Sequence, residues 1–409
     1  MRILCLTSRL PYPPHRGDRV RTYNFIRAFS EHHEVDLLSF VRDRREAGLA
    51  RELRDLANVE TVTLGTGRSL GSMAVRALSP LPYQALYYRS PAMAARCARA
   101  LAGGGYDLLY AHLFRTAPFV EPALRARRGS RPIAVLDLTD AIAAEIDLSI
   151  PHRPPALRPA YRWESAKIRR YERRVAPLFD EVWTISRADA EETRRHAPDA
   201  AIAVVPNGVE ETLFDLAPPE GEPGVLFVGN LSIAHNVDAL GALARDIMPL
   251  VQASVPGARL SAAGSDATPA VERLARESGV ELVGYLPELR DIYGIGGVFA
   301  APLRFAAGVQ NKILEAMAAG LPVVTTSVAN RGLGARDGRE ILVRDAPEAF
   351  ASAVVGLLRD RAARSALGGR GREFVRKRFR WSLARERIES LVARDGTVAS
   401  SRPSDARAA

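Results

Sequence analysis

The sequence predicts an α/β protein made of two doubly wound parallel-sheet domains, and three observations predict it. The chain has 409 residues, more than a single hydrophobic core usually serves. Short apolar runs alternate with helical stretches, as they do in parallel α/β structure. Proline, glycine and acidic residues collect in LFDLAPPEGEPG (213–224), which we interpret as a linker between two successive series of strands and helices.

The first series contains seven short apolar runs that are typical of strands buried on both faces. These runs are RILCLT (2–7), VDLLSF (35–40), VETVTL (59–64), YDLLYAH (106–112), IAVLDL (133–138), EVWTIS (181–186) and AIAVVP (201–206). The first helix is predicted over 18–30, where Val20, Tyr23 and Ile26 share one face. We place an N-terminal, Rossmann-like domain at residues 1–205.

A second series of apolar runs predicts a second Rossmann-like domain at 206–378. Its runs are VLFVGN (225–230), ARLSAAG (258–264), VELVG (280–284), VFAAP (298–302), PVVTT (322–326) and EILVR (340–344). Residues 379–394 predict an amphipathic helix. Two placements of that helix fit the pattern: an ordinary part of the second domain, or a helix that crosses back to the first. Residues 395–409 are small and polar and predict a disordered tail.

Composition limits the classes of function. The formal net charge of +10 favours anionic partners, but aromatic residues make up only 7% of the chain and no compact nucleic-acid module is recognisable. We therefore predict no nucleic-acid partner. Cys5 and Cys97 fall in a strand and a helix, which indicates no structural disulfide and a cytoplasmic location. No apolar stretch is long enough for a transmembrane helix, and the first residues do not form a signal peptide.

One strongly basic segment has two interpretations. ALRPAYRWESAKIRRYERRVAPLF (156–179) is a helix candidate rich in arginine. It can contact an anionic membrane surface at the inner face of the cell membrane. It can equally be a scaffold helix with Tyr161, Ile168 and Val175 turned inward and its arginines in solvent, and the sequence favours this second interpretation.

Two glycine-containing loops follow strands whose carboxyl ends form the ligand-binding edge of such sheets. The first is SRLPYPPHRGDRVR (8–21), in which Gly17 allows close backbone approach and Asp18 is expected to cap the helix. The N–H groups of that helix would stabilise an anion such as a diphosphate. In the second loop, FVGNLSIAH (227–235), Gly229 again permits close approach. A purely structural turn remains an alternative for the first loop.

The third loop leads into the most informative helix. In APLRFAAGVQNKILEAM (301–317) the helix is predicted to begin near Val309, so that the N–H groups of Val309 and Gln310 are free to meet an anion. Lys312 adds a positive charge for phosphate, and Glu315, three residues later on the same face, can accept hydrogen bonds from vicinal hydroxyls. The alternative is an exposed ion pair that contributes about 0.2–0.5 kcal/mol.

The stretch GVQNKILEAMAAGLPVV (308–324) resembles the signature of retaining glycosyltransferases of the GT-B fold, specifically glycosyltransferase family 4. The resemblance extends along nearly the whole chain: PPHRGDRVR (13–21) is similar to the loop that holds donor phosphate, VVPNGVE (204–210) and FVGNLS (227–232) to the start of the second domain, and VGYLPEL (283–289) to the segment that reads the nucleotide base. The order of motifs is most similar to the sugar transferases associated with PEP-CTERM/EpsH exopolysaccharide gene clusters.

The resemblance implies two domains facing across a cleft, with the helix at 379–394 crossing back to the first domain, and it assigns residues to the site. It implies catalytic roles for His112, Lys312 and Glu315. It implies a donor-binding set of Gly17, Gly229, Asn230, Tyr285, Leu286, Arg304, Gly308, Val309, Gln310, Asn311, Lys312 and Glu315. Arg16 and Asp140 are further candidates for the sugar or the acceptor. The resemblance implies no metal and no cofactor beyond the nucleotide-sugar donor, and no metal-ligand spacing is recognisable.

Several positions depart from the family pattern or have a structural alternative. Ala307 stands where the family commonly has an acid, and the loop after Gly229 offers His235 and Asn236 in place of a basic pair. Phosphate neutralisation is therefore expected to fall to Lys312, Arg304 and backbone amides. A lone histidine such as His112 is more often structural, and Asp140 needs no function if it caps a helix.

The expected function is transfer of a hexose from a UDP- or GDP-sugar to a glycan or lipid-linked acceptor, with retention, in exopolysaccharide synthesis. Closure of the two domains would exclude water from the reaction. Two alternatives remain at this point: a nucleotide-sugar epimerase or hydrolase of the same fold, and a non-catalytic scaffold that binds nucleotide sugar.

Overall fold

A computed structural model describes residues 1–14, 17–65, 79–127, 129, 132–217, 224–305 and 308–400. The chain forms two compact units. The first comprises Met1–Val205 and the chain from Trp381 onward, and the second comprises Pro206–Arg380. In the part of the chain that the structure describes, no helix is both long and apolar enough to cross a membrane.

The first unit is built on a seven-stranded parallel sheet with the order β3-β2-β1-β4-β5-β6-β7. Its strands are β1 (Arg2–Thr7), β2 (Glu34–Val41), β3 (Asn58–Thr63), β4 (Leu108–His112), β5 (Ile133–Thr139), β6 (Glu181–Thr184) and β7 (Ile202–Val204). The helices described before Val205 are α1 (Gly17–Ser30), α2 (Arg44–Gly48), α3 (Tyr83–Tyr87), α4 (Pro91–Ala102), α5 (Ala117–Ala126), α6 (Ile142–Ser149), α7 (Arg158–Val175) and α8 (Arg187–His196).

The second unit is built on a six-stranded parallel sheet with the order β10-β9-β8-β11-β12-β13. Its strands are β8 (Val225–Val228), β9 (Leu260–Ala263), β10 (Glu281–Gly284), β11 (Val298–Ala301), β12 (Val323–Thr325) and β13 (Leu342–Val343). The helices described here are α9 (Ala234–Ala242), α10 (Met248–Ser254), α11 (Pro269–Ser278), α12 (Leu289–Gly294), α13 (Asn311–Ala318), α14 (Ser327–Leu333), α15 (Pro347–Arg359) and α16 (Arg361–Arg378). The predicted α/β class with two parallel sheets is confirmed.

Both faces of the first sheet are buried, which explains why its strands are almost uniformly apolar. In β1, Ile3 and Cys5 pack into one core, whereas Leu4 and Leu6 pack into another on the opposite face. Successive side chains of a strand point to opposite faces, so a strand between two helical layers needs apolar residues at every position. The apolar runs of the sequence therefore mark these strands directly.

Each sheet has one point where the strand order reverses. In the first sheet β1 pairs with both β2 and β4, and in the second β8 pairs with both β9 and β11. The connections diverge on either side of such a point and leave a crevice beyond the carboxyl ends of the two strands, where ligands of doubly wound sheets bind. The crevices lie beyond β1 and β4 in one unit and beyond β8 and β11 in the other.

A final helix, α17 (Ser382–Ser400), belongs to the first unit. Trp381, Ala384 and Ile388 are buried in the same core as Phe25, and the rings of Phe25 and Trp381 meet edge to face at 6.0 Å. The prediction of a disordered tail is wrong for residues 395–400, which continue the helix. Each residue added to an anchored helix gains a backbone hydrogen bond, and no proline intervenes before Pro403. Residues 401–409 lie outside the described part.

Candidate functional site

The loop after β11 leads into α13 with an extended backbone. Gly308 has φ of +63°, a conformation that glycine adopts without strain, and Gln310 at the N-cap is extended with φ −83° and ψ 101°. The helix therefore begins at Asn311 and not near Val309, which corrects the prediction by two residues. Val309 is buried and anchors the loop.

The amino end of α13 has free backbone donors. Gln310 makes no side-chain cap, and the N–H groups of Asn311 and Lys312 donate to no acceptor among the described residues. The Asn311 side chain is held in place by a hydrogen bond of 3.0 Å from Asn207 Nδ2 to its Oδ1. Unpaired N–H groups together with the helix dipole make this end attractive to an anion.

Lys312 brings a partly buried positive charge to the same place. Its Nζ donates to Oδ1 of Asn236, which stands at the start of the helix after β8, and lies 5.4 Å from the ring centre of Phe227. Burial lowers the pKa of Lys312 to about 8, and the nearby Glu315 acts in the opposite direction. Lys312 is therefore mostly protonated at pH 7. Asn236 is neutral, and among the described residues no carboxylate is hydrogen-bonded to this ammonium group.

Glu315 lies one turn further along α13, and one of its two carboxylate oxygens is hydrogen-bonded within the protein. Its Oε2 accepts a hydrogen bond of 2.7 Å from the buried Tyr293 hydroxyl. Its Oε1 has no hydrogen-bond donor among the described residues. Burial raises the pKa of Glu315, and the Tyr293 hydrogen bond opposes that shift. One carboxylate oxygen thus remains for a ligand hydroxyl, while Tyr293 fixes the orientation of the group.

The loop after β8 approaches α13 closely because it contains a glycine. A Cβ at Gly229 would lie 2.8 Å from Cγ of Asn236, so a larger residue would displace the side chain that holds Lys312. Asn236 also donates to the carbonyl of Asn230 at 2.9 Å. The Asn230 side chain points elsewhere: its Nδ2 donates to Asp266 at 2.6 Å and its Oδ1 accepts from the N–H of Ser232 at 3.0 Å.

Arg304 is less available to phosphate than the sequence indicates. Its guanidinium binds the carboxylate of Asp238 through two hydrogen bonds, one of 2.8 Å from Nε to Oδ2. Arg304 is nevertheless exposed, so this pair forms at the surface. The sequence offers no sign of the pairing because the two residues are 66 positions apart. Ala307, which replaces the usual acid, lies outside the described residues.

The two residues predicted to read the base follow β10 at the edge of the second sheet. Tyr285 is exposed over 57% of its surface, and Leu286 is half-buried. They come directly after Gly284, whose φ of +80° turns the chain out of the strand. Their contact with a nucleotide stays a prediction.

In the first unit, α1 begins at Gly17, so Asp18 lies inside the first turn and is not the predicted cap. The Asp18 carboxylate instead accepts from Arg9 Nη1 at 3.1 Å and from the N–H of Arg19 at 3.1 Å. The role of Gly17 in phosphate binding stays a prediction. Arg16, the other candidate in this loop, lies outside the described residues.

His112 ends β4 beside the reversal point of the first sheet and is almost fully buried. Its Nε2 lies 3.3 Å from Oγ1 of Thr139, and burial lowers its pKa to about 4, so the ring is neutral near pH 7. Leu113, which follows His112, has φ of +67°, and Thr139, the last residue of β5, has φ of +63°. Left-handed backbone at non-glycine residues is strained and concentrates at functional sites.

An ion pair beneath His112 organises this end of the sheet. The buried Asp137 accepts two hydrogen bonds from the Arg21 guanidinium, at 2.7 and 2.9 Å, and a third from the Tyr110 hydroxyl. Burial acts to raise the pKa of Asp137, but the Arg21 charge outweighs it and the pKa is lowered. Asp137 also accepts the N–H of Thr139 at 3.0 Å, which fixes the residue that contacts His112.

Asp140 does not cap a helix, in contrast to the alternative raised from the sequence. The helix α6 begins at Ile142 with Ala141 at its N-cap, and the Ala141 N–H is bound by Asp189 at 3.1 Å. Among the described residues no donor is hydrogen-bonded to the Asp140 carboxylate. Burial, together with the charge of Asp189, raises the pKa of Asp140 to about 8. A half-buried carboxyl group without a partner is available to a ligand hydroxyl.

Two family models match the chain in succession. The model described as glycosyl transferase 4-like domain matches residues 16–208, and the model described as glycosyl transferases group 1 matches residues 222–360. The chain belongs to the family 4 type of GT-B glycosyltransferases. Its two matched stretches correspond to the two units of this glycosyltransferase.

The fold of the glycosyltransferase is shared with solved structures of low sequence identity. Sucrose-phosphate synthase of Thermosynechococcus elongatus is 18% identical, with a TM-score of 0.69 over 98% of this chain and 100% of that chain. HepE of Anabaena, solved in complex with UDP-glucose, is 16% identical, with a TM-score of 0.62 over 96% and 100%. A TarM mutant of S. aureus, solved with UDP among its ligands, is 10% identical, with a TM-score of 0.65 over 96% and 99%.

One relative in sequence is described as coming from a cps region. A Klebsiella pneumoniae protein described as an uncharacterized 44.6 kDa protein in the cps region is 29% identical over 139 residues. The match covers 32% of this glycosyltransferase and 36% of that relative, so it spans about a third of the relative's length.

Three residues that hold the site side chains of the glycosyltransferase in place were not predicted from the sequence. Asn236 holds Lys312, Tyr293 holds Glu315, and Asn207 holds Asn311. Each is a polar residue next to an apolar or glycine-rich run, but none has a fixed spacing from its partner. Only Asn236 has a recognisable signal, since it stands where the family often has a basic residue.

Proposed function

We propose that the protein transfers a sugar from a nucleoside-diphosphate donor, with the diphosphate bound at the amino end of α13. One observation carries the proposal. At the reversal point of the second sheet, the N–H groups of Asn311 and Lys312, which are unpaired among the described residues, lie together with the Lys312 ammonium group. A cation held by a neutral amide is suited to an incoming anion, because binding requires no carboxylate to be displaced.

The same groups would lower the barrier to reaction. Departure of the nucleoside diphosphate from the sugar leaves negative charge on its outer phosphate. Donors already aimed at that position stabilise the charge as it develops, without reorganisation of water. Lys312 and the backbone N–H groups would do this, while Oε1 of Glu315 would accept a ribose hydroxyl. His112 and Asp140 would contact the transferred sugar or the acceptor.

Several features support the choice of substrates. HepE was solved with UDP-glucose and the TarM mutant with UDP, so UDP-sugars are the first donors to test. The Klebsiella pneumoniae relative from the cps region supports a polysaccharide acceptor, in line with the exopolysaccharide role expected from the sequence. We propose transfer of a hexose with retention of anomeric configuration, without a metal, as the resemblance implies. In the described part of the chain, no group of three His, Cys, Asp or Glu side chains is arranged to hold a metal ion.

A peripheral membrane location is part of the proposal. Leu157 lies just before α7 and Trp163 lies on it, and they are exposed over 49% and 50% of their surface. The exposed Arg162, Arg170 and Arg173 lie on the same helix. The inward side of α7 carries Ile168 and Val175, as the scaffold interpretation predicts, whereas Tyr161 is only half-buried. An aromatic and aliphatic pair set among arginines suits an anionic lipid surface, where a lipid-linked acceptor would be met.

A screen of nucleotide sugars by thermal shift tests the donor site. A ligand present at 100 times its Kd stabilises the folded protein by about 2.7 kcal/mol, so the cognate donor should raise Tm by several degrees. Lys312→Ala should abolish the shift, whereas Lys377→Ala, which removes an exposed lysine from α16, should leave it unchanged. A donor-induced shift that persists in Lys312→Ala would place the diphosphate elsewhere.

An assay for the products separates transfer from its alternatives. With the cognate donor and a glycan acceptor, we expect nucleoside diphosphate and an extended glycan in equal amounts. Free sugar or an epimerised donor formed without an acceptor would indicate the hydrolase or epimerase. Donor binding without any turnover would indicate a scaffold.

A further inference from the structure

The first unit contains a cavity that the donor chemistry leaves unexplained. It lies at the carboxyl ends of β1, β2 and β3, and its volume is about 280 Å³. Sites for drug-sized ligands have volumes of about 300–1,000 Å³, so this cavity suits a single small ring.

Positive charge dominates the walls of the cavity. Arg9, Arg19 and Arg42 line it together with one acid, Glu46. Burial acts to raise the pKa of Glu46, but the N–H of Arg42 and the guanidinium of Arg19 bind its carboxylate and lower the pKa. With Asp18, which lies 3.1 Å from Arg9, two carboxylates face three guanidinium groups. The walls therefore keep a net positive charge.

Two buried polar atoms of the cavity lack partners. Ser8 is buried to 98% and its Oγ has no hydrogen-bond partner in the described part of the protein; the same holds for Nε of Arg19. A buried donor left unsatisfied costs about 1–3 kcal/mol. Both residues line the cavity, but these two atoms are themselves covered by protein atoms, so the groups that face a ligand are the outer nitrogens of the guanidinium groups.

Aromatic side chains form another part of the wall. Tyr87 and Tyr88 come from the end of α3, whose first N–H groups at Tyr83 and Gln84 are bound by the Glu164 carboxylate at 2.9 and 3.3 Å. This cap fixes the helix. The phenol rings present apolar faces with a polar edge, an arrangement suited to a sugar ring with its C–H groups on one face and hydroxyls at its rim.

We propose that this cavity binds an acidic sugar residue of the acceptor glycan, that is, a ring bearing a carboxylate or a phosphate group. The guanidinium groups would bind the anionic oxygens, and the tyrosines would cover the ring. The proposal names the acceptor class of the transferase and so rests on the proposed function.

Calorimetric titration of the full-length protein, saturated with UDP, tests the proposal. The probes are a disaccharide ending in glucuronic acid, its counterpart ending in glucose, and glucose 1-phosphate. We expect at least one charged probe to bind about tenfold more tightly than the neutral disaccharide, because charge-assisted hydrogen bonds are stronger than neutral ones. The two charged probes distinguish a carboxylate site from a phosphate site. Equal binding of charged and neutral probes, or no binding of any probe at 10 mM (about 10,000 times a micromolar Kd), overturns the proposal.

Variants locate the binding and separate it from the donor site. Arg42→Gln should remove most of the preference for the charged probe, whereas Arg45→Gln, an exposed neighbour that does not line the cavity, should keep it. If the unaltered protein binds UDP but binds charged and neutral probes equally, this inference alone is contradicted. If the unaltered protein does not bind UDP, the proposed function is contradicted.

Discussion

At the scale of single residues, Lys312 is the group whose chemistry the fold changes most. An exposed lysine has a pKa near 10.4, whereas burial lowers that of Lys312 to about 8. The ammonium form is therefore complete near pH 6 and is lost as the pH rises through 8. A bound diphosphate would favour the charged form and raise the pKa again.

The affinity for UDP should consequently fall as the pH rises from 7 to 9. The diphosphate keeps its charge over this range, since second phosphate pKa values lie near 6, so the change belongs to the protein. Lys312→Arg should remove the pH dependence, because a guanidinium stays protonated. Calorimetry in two buffers of different ionisation enthalpy would also detect proton uptake on binding near pH 8.5. An affinity that is flat across this range in the unaltered protein would contradict a role for Lys312 on phosphate.

His112→Ala should lower turnover more than donor affinity. The loss of one neutral hydrogen bond in the transition state, about 1.4 kcal/mol, corresponds to about a tenfold lower kcat. Because the pKa of His112 is about 4, kcat should show no ionisation of this group between pH 5.5 and 7.5. Parallel calorimetry with UDP would show whether the variant is folded. Unchanged kcat at saturating donor would remove His112 from the site.

At the scale of elements, α17 is part of the first unit although it follows the second in sequence. Its Ile388 is fully buried, and Arg387 donates to the Glu181 carboxylate of β6 at 2.7 Å. The helix therefore covers the outer face of a sheet formed by residues at least 176 positions earlier in the chain. Such a contact has a high entropic cost of closure and is stable only because the buried area is apolar.

Ile388→Ala should lower the free energy of unfolding by about 2–5 kcal/mol, since it removes buried methyl groups and leaves a cavity. The matched control is Ile295→Ala in the second unit, where the side chain is 39% exposed and the expected change is about 0.5 kcal/mol. Urea denaturation followed by circular dichroism measures both. Equal destabilisation by the two substitutions would show that α17 does not stabilise the first unit.

At the scale of the whole molecule, the formal net charge of +10 predicts attraction to anionic lipid, which binding experiments can test. A basic protein is attracted to any anionic surface, so charge alone does not define a docking site. Leu157 and Trp163 add an apolar contact that only a bilayer or a partner would cover. The combination predicts binding that depends both on lipid charge and on these two side chains.

Sedimentation with vesicles should show binding to phosphatidylcholine mixed with phosphatidylglycerol, and much weaker binding to phosphatidylcholine alone. Replacing Leu157 and Trp163 by serine should lower the binding at least about tenfold. Full burial of one such side chain contributes about 1.5–3 kcal/mol, so half burial of both together contributes about 1.5–3 kcal/mol, and about 1.4 kcal/mol corresponds to a factor of ten. Leu250→Ser, which alters a side chain that is 42% exposed in the other unit, serves as the control. Binding unaffected by the double substitution would assign the attraction to charge alone.

The sequence by itself determined the class and most elements of the fold. Each of the thirteen predicted apolar runs overlaps a strand, because the inner strands of a sheet covered on both faces are apolar throughout and that pattern is local. The motif around Lys312 and Glu315 also indicated the family, since the chemistry of a helix terminus depends on residues close in sequence. The start of α13 was displaced by two residues, because the left-handed Gly308 and the extended Gln310 depend on the surrounding loop.

Only the tertiary structure decided which side chains are free to act. It paired Arg304 with Asp238, placed Asn236 beside Lys312 and Tyr293 beside Glu315, buried His112 against Thr139, and assigned α17 to the first unit. These contacts join positions far apart in the chain. Their partners, and the burial that shifts the pKa of Lys312 and His112, are set by packing around the whole unit, which no local pattern of residues encodes.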